Sequence, residues 1–139
     1  MIKHINNVDI NYVDYGSGKN TIVLLHGWGQ NIAMMKPIGD KLQKNNRIII
    51  VDLPGFGESS EPESIWSMYD YTECIHELLK SLKVSNPIII GHSFGGKISL
   101  IYASKYKVQK LVLFGSPFKK EIEKLSTKTK ILKSLKKEY

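Results

Sequence analysis

A serine framed by glycines, in Gly91-His92-Ser93-Phe94-Gly95-Gly96, is the arrangement in this 139-residue chain best suited to covalent chemistry. It follows the branched apolar run Ile88-Ile89-Ile90 and precedes a helix-like run from Lys97 to Ser104. Strand, G-x-S-x-G and helix in that order predict a nucleophile elbow. The reason is steric. A strand that reverses directly into a helix holds the serine in a strained backbone conformation, and flanking glycines let the chains pass without a Cβ clash. The hydroxyl then projects at the positive end of the helix, where a developing oxyanion is favoured.

The elements that position such a serine can be read on either side of it. Residues 2–15 alternate loosely around Asn6-Asn7 and predict two short antiparallel strands. Thr21 to Leu25, Arg47 to Val51 and Val108 to Phe114 are apolar runs of the kind found in strands buried on both faces. Between them, Met34, Met35, Ile38 and Leu42 mark a weakly amphipathic helix. Tyr71, Ile75, Leu78, Leu79 and Leu82 mark a stronger one over Met68 to Leu82. Residues 58–67 are expected to form an exposed loop. The alternation predicts an α/β fold, a mostly parallel twisted sheet with helices on both faces. Its site should lie beyond the C-terminal ends of the strands. Those ends carry His26-Gly27-Trp28-Gly29, Asp52 to Gly57, Gly91 to Gly96 and Gly115-Ser116.

Composition excludes several classes. The net charge of +7 is concentrated in residues 117–139, which hold eight of the 20 basic and three of the 13 acidic side chains. The other 116 residues, with twelve and ten, are close to neutral. There is a single arginine, Arg47, and no basic face with interleaved aromatics, so no nucleic-acid partner is expected. The four histidines have no metal-ligand spacing, and neither a metal nor a cofactor is implied. One cysteine, Cys74, precludes an internal disulfide and fits a reducing compartment. No apolar run approaches the ~18–20 residues that span a bilayer, and the first residues lack a signal-peptide core. A cytoplasmic protein that is not integral to a membrane is the expectation.

The three motifs Leu24-Leu25-His26-Gly27-Trp28-Gly29, Asp52-Leu53-Pro54-Gly55-Phe56-Gly57 and Gly91-His92-Ser93-Phe94-Gly95-Gly96 stand in the order found in one superfamily. Through them residues 1–118 resemble the core of the α/β-hydrolase fold, in its serine-hydrolase branch with a short HGxG oxyanion loop. The pairing of HGWG with DLPGFG is also similar to the pimeloyl-acyl-carrier-protein methyl ester esterases. The resemblance implies that Ser93 attacks an acyl carbonyl. The backbone N–H groups of Trp28 and Phe94 would form the oxyanion hole, and their side chains would make the acyl pocket apolar. It casts His26, Gly27 and Gly29 as support for the oxyanion loop, and Gly91, His92 and Gly95 as support for the elbow. Asp52 would brace its own loop rather than serve as the triad acid. A serine at the elbow points away from the relatives that use aspartate there.

In this superfamily the triad runs Ser, then Asp or Glu, then His along the chain. After Ser93 the acids are Glu121, Glu123 and Glu138, and there is no histidine. By resemblance the sheet would also continue with two more parallel strands, leaving Val108–Phe114 as an unprotected edge. The expectation is therefore an N-terminal part of a longer enzyme, or one part of a two-chain assembly. Residues 119–139, with Ile122, Leu125, Leu132, Leu135 and Tyr139 at near-heptad spacing, are expected to begin a cap as a basic amphipathic helix. Such a cap would suit an acidic acyl carrier partner or a membrane surface, although a solvated lysine face needs no partner. Three functions remain open. They are a serine hydrolase acting on a small carboxylic ester or related acyl substrate, a carbon–carbon bond hydrolase or acyltransferase on the same elbow, and a non-catalytic remnant.

Overall fold

The computed structural model of the protein describes residues 1–126. Strand β1 (Ile2–Ile5) and strand β2 (Val8–Gly16) form a hairpin across Asn6-Asn7. Both asparagines take positive φ, 51° and 66°, the backbone that matches the right-handed twist of the flanking strands. Strands β3 (Asn20–Leu25), β4 (Asn46–Val51), β5 (Ile88–His92) and β6 (Lys110–Phe114) follow, with helices α1 (Ile32–Leu42), α2 (Met68–Ser81), α3 (Phe94–Lys105) and α4 (Lys119–Ser126). The sheet order is β1-β2-β4-β3-β5-β6, and β2 pairs antiparallel with β4 while β4, β3, β5 and β6 run parallel. This is the predicted α/β architecture. The three central strands are apolar because both of their faces are covered.

The two faces have separate cores. Helix α1 closes Ile22, Leu24, Ile48, Ile50 and Ile90 on one side through Met35, with Ile38 and Leu42 at the margin. On the other side α2 and α3 pack Cys74, Ile75, Leu78, Leu79, Ile98 and Leu100 against Val23, Leu25, Ile49, Val51 and Ile89. Ser67 starts α2 with a full capping box, its hydroxyl accepting from the Asp70 N–H while the Asp70 carboxylate accepts from the Ser67 N–H. Strand β6 lies at the sheet edge among the described residues. Leu111 and Leu113 are buried beside α3, whereas Val112 and Phe114 remain 39% and 38% exposed.

Three expectations are corrected. Met34 faces solvent, because the helical stripe that meets the sheet runs through Met35, Ile38 and Leu42 instead. The last strand begins at Lys110 rather than Val108, since the Gln109 N–H is still engaged with the Pro87 carbonyl of the preceding connection. Residues 58–67 are irregular but not uniformly exposed. Ser59 is buried, Pro62 is half-buried, and Trp66 is half-buried against the core. Of the expected tail helix, Ile122 and Leu125 lie on α4 and pack toward the core, while Leu132, Leu135 and Tyr139 fall outside the described residues.

Candidate active site

Ser93 occupies the one-residue junction between β5 and α3, with φ 51° and ψ −112°. A non-glycine residue in that region costs about 1–3 kcal/mol and persists only when its surroundings over-determine it. Here they do. The Ser93 N–H donates to the Phe114 carbonyl of β6 at 2.9 Å, and its carbonyl accepts from Lys97 in the first turn of α3 at 3.1 Å. Ser93 is also the N-cap residue of α3, yet its hydroxyl makes no capping hydrogen bond. A serine at that position ordinarily caps. Its half-buried side chain is thus left for other work at the positive end of the helix.

The flanking glycines explain how the elbow fits. A Cβ on Gly95 would collide with the carbonyls of Leu25, the last residue of β3, and of His26 just after it, and one on Gly91 would collide with Ser99 and with Gly95 and Gly96. Helix α3 therefore starts in direct contact with the end of β3, which brings Phe94 beside the His26-Gly27-Trp28-Gly29 loop. The Trp28 and Phe94 rings meet edge to face, 5.0 Å apart. Among the described residues, neither the Trp28 N–H nor the Phe94 N–H is engaged by a protein acceptor. Gly29 closes the loop at φ 75° in open space.

Two clamps hold that loop. His26 is fully buried, its Nδ1 2.7 Å from the Gly27 carbonyl and its Nε2 accepting from the Leu53 N–H at 3.0 Å. Those partners require the neutral ring with the proton on Nδ1. Burial lowers its pKa below the usual histidine value, against opposing contributions from the Gly27 hydrogen bond and the Asp52 carboxylate. The second clamp is Gln30, which the sequence reading did not single out. Its Oε1 accepts from the Gly27 N–H at 2.8 Å and from His92 Nδ1 at 3.0 Å, tying the loop to the residue before the serine. The His92 ring lies against Phe114 and over Gly115.

Asp52 is buried and accepts from Asn11 Nδ2 at 3.0 Å, from the Ile32 N–H at the start of α1 at 2.8 Å and from the Glu58 N–H at 2.9 Å. It braces three segments, and none of these partners belongs to the elbow. Ser59, also unremarked in the sequence, completes that brace by donating to the Asp52 carbonyl at 2.6 Å and accepting from the Asn11 N–H. The remaining histidines are occupied elsewhere, His4 with Asp9 and His76 stacked on Tyr106 beside Tyr102. Among the described residues no cluster of His, Cys, Asp and Glu is placed to hold a metal.

Residues 20–132 match the alpha/beta hydrolase fold. The chain belongs to the alpha/beta hydrolase family. It is 30% identical over 115 residues to the 2-hydroxy-6-oxo-2,4-heptadienoate hydrolase of Pseudomonas putida, covering 78% of this chain and 41% of that one. It is 37% identical over 86 residues to the pimeloyl-[acyl-carrier protein] methyl ester esterase of Pseudoalteromonas atlantica, covering 60% and 31%. The esterase EaEST from Exiguobacterium antarcticum superposes with a TM-score of 0.74 at 32% identity, covering 81% and 43%. The chain spans less than half the length of the curated relatives it matches. No helix among the described residues of this alpha/beta hydrolase is long and apolar enough to cross a membrane.

The His26 clamp should make the stability of this alpha/beta hydrolase fold pH-dependent. The folded pKa lies below the ordinary 6.5, so between the two values the unfolded chain binds more protons. The contribution of His26 is fully present above pH about 6.5 and is lost as pH drops from there through the lowered folded value. Asp40 and Glu73, whose pKa values are also lowered, begin to lose stabilisation only below their ordinary 3.8 and 4.5. Urea midpoints measured between pH 7.5 and 5 should therefore decline in the native chain and decline less in His26→Gln. Equal declines would show that the His26 clamp is not the titrating element.

Proposed function

We propose that this chain carries the nucleophile and oxyanion hole of a serine hydrolase acting on a carboxylic ester or related acyl substrate. The Ser93 hydroxyl attacks the acyl carbon, and the carbonyl oxygen becomes an anion received by the N–H groups of Trp28 and Phe94. Collapse expels the alcohol and leaves the acyl group on Ser93 for water to remove. The observation that carries this reading is the Ser93 backbone at φ 51° and ψ −112°, strained at a helix start with its hydroxyl not used for capping. The unengaged N–H groups of Phe94, next to Ser93 in sequence, and of Trp28, whose ring meets that of Phe94, support the oxyanion assignment. Removing one such donor typically lowers turnover by about 10²–10³.

The general base and its orienting carboxylate are part of the proposal too. All four histidines are committed to other partners, so we assign both groups to residues outside these 139. A continuation of the polypeptide or a second chain would meet the requirement. Helix α4, joined to α3 by Lys97 and Glu121 at 3.5 Å, would begin the cap, with an acidic acyl carrier among the partners its lysines suit. A cytoplasmic setting rests on the lone Cys74, buried with its thiol pushed up to about 12. A second reading, carbon–carbon bond hydrolysis at the same serine, is favoured by the similarity to the heptadienoate hydrolase.

Fluorophosphonate labelling of the protein isolated from the cells that make it tests the assignment. The adduct should map to the peptide containing Ser93 and vanish in Ser93→Ala. Equal labelling of the alanine variant would overturn it.

A further inference from the structure

The side of the elbow that faces the β4–α2 connection holds a cavity of about 260 Å³. Phe94 and Trp28, the two residues proposed to supply the oxyanion-hole N–H groups, line it, the Trp28 side chain remaining 67% exposed. Tyr71 and Met68 of α2 and Trp66 and Ile65 of the connecting loop complete the lining. The aromatic rings make one continuous edge-to-face series. Trp66 meets Tyr71 at 5.3 Å, Tyr71 meets Phe94 at 5.3 Å, and Phe94 meets Trp28 at 5.0 Å. Such pairs are held by ring electrostatics as well as by burial.

The chemistry of the lining selects a ligand. Most of it is carbon, and no lysine, arginine or histidine contributes to it. The connecting loop is acidic, with Glu61 and Glu63 on either side of the lining residue Pro62 and Glu58 just before, all exposed. A carboxylate or phosphate entering here would lose water, gain no cation and meet like charge. Ile65 is fully exposed at 101%, an apolar side chain left in water at the mouth. The volume lies below the ~300–1,000 Å³ of sites for drug-sized ligands, which suits one alkyl chain or one aryl ring.

From this lining we infer that the aromatic trough seats the uncharged apolar chain of the ester, and that the loop carrying Ile65 and Trp66 excludes substrates bearing an anionic group at the far end of that chain. The inference deepens the reading of Ser93 as nucleophile and rests on it for the word ester. Its test does not require turnover. The two tryptophans of the chain, Trp28 and Trp66, both line the trough, so intrinsic emission reports its occupancy without a label.

Titration of the 139-residue chain with methyl octanoate should give a saturable blue shift. Monomethyl suberate, of equal length with a carboxylate at the far end, should bind at least about tenfold more weakly. Ile65→Glu, a change at an exposed position that leaves the folded circular dichroism spectrum intact, should weaken methyl octanoate by at least about tenfold. Ser93→Ala should leave both affinities unchanged. Equal affinity for the two esters, a shift that does not saturate, or an Ile65→Glu protein that binds like the native one would overturn the inference. Failure of fluorophosphonate labelling with the titrations as expected would remove the nucleophile and leave the trough. Labelling at Ser93 without discrimination between the esters would remove the trough alone.

Discussion

Ser93→Ala is expected to lower ester turnover by about 10⁶ in the protein provided with its general base, because the members of such a catalytic unit act together rather than additively. KM should change little, since the alanine leaves the aromatic trough and the backbone donors in place. The same position offers a test that needs no substrate. Alanine keeps the Cβ and therefore the strain at φ 51°, whereas glycine adopts that conformation freely. Ser93→Gly should stabilise the fold by about 1 kcal/mol relative to Ser93→Ala, the relief of strain exceeding the extra flexibility of the unfolded chain. Thermal unfolding of the pair measures this directly. A glycine variant less stable than the alanine variant would mean that the elbow is not a strained turn.

Gly95→Ala should be the most damaging single methyl in the site. The added carbon would be driven into the Leu25 and His26 carbonyls, backbone atoms of two fully buried residues at the end of β3 that cannot rotate away. Helix α3 would have to lift from β3, separating Phe94 from the Trp28 loop. A loss of about 3 kcal/mol, the upper end of ordinary overpacking, corresponds to a Tm lower by about 10 °C. Gly29→Ala is the control. No atom lies within 4 Å of its added carbon, so only the left-handed backbone at φ 75° costs anything, about 1–2 kcal/mol. Differential scanning calorimetry should rank Gly95→Ala well below Gly29→Ala, and the opposite order would show that α3 does not pack as described.

The sheet was legible in the sequence because Thr21 to Leu25, Arg47 to Val51 and Ile88 to Ile90 are continuous apolar runs, and burial on both faces demands that composition. The elbow was legible because its glycines answer a steric need that is local to the chain. Gln30 and Ser59 were not. Their hydrogen bonds join segments separated by 62 and 48 residues, to His92 and Asn11, and such contacts leave no periodicity along the sequence. The loop residues lining the trough were missed for a related reason. Ile65 and Trp66 lie in a run of Glu, Pro and Ser that reads as solvated loop, and only the fold brings them to Tyr71 and Phe94. The exposure of Met34 was misread because a helical stripe admits either of two adjacent methionines, and the packing of α1 on the sheet buries Met35.

The central claim is that Ser93 attacks an acyl group whose oxygen is received by the Trp28 and Phe94 N–H groups. A crystal structure of the phosphonylated protein tests it most directly. The phosphonyl group should be bonded to Ser93 Oγ, with one oxygen about 2.7–3.1 Å from both nitrogens. A phosphonate on another residue, or a Ser93 adduct whose oxygen points away from both N–H groups, would contradict it.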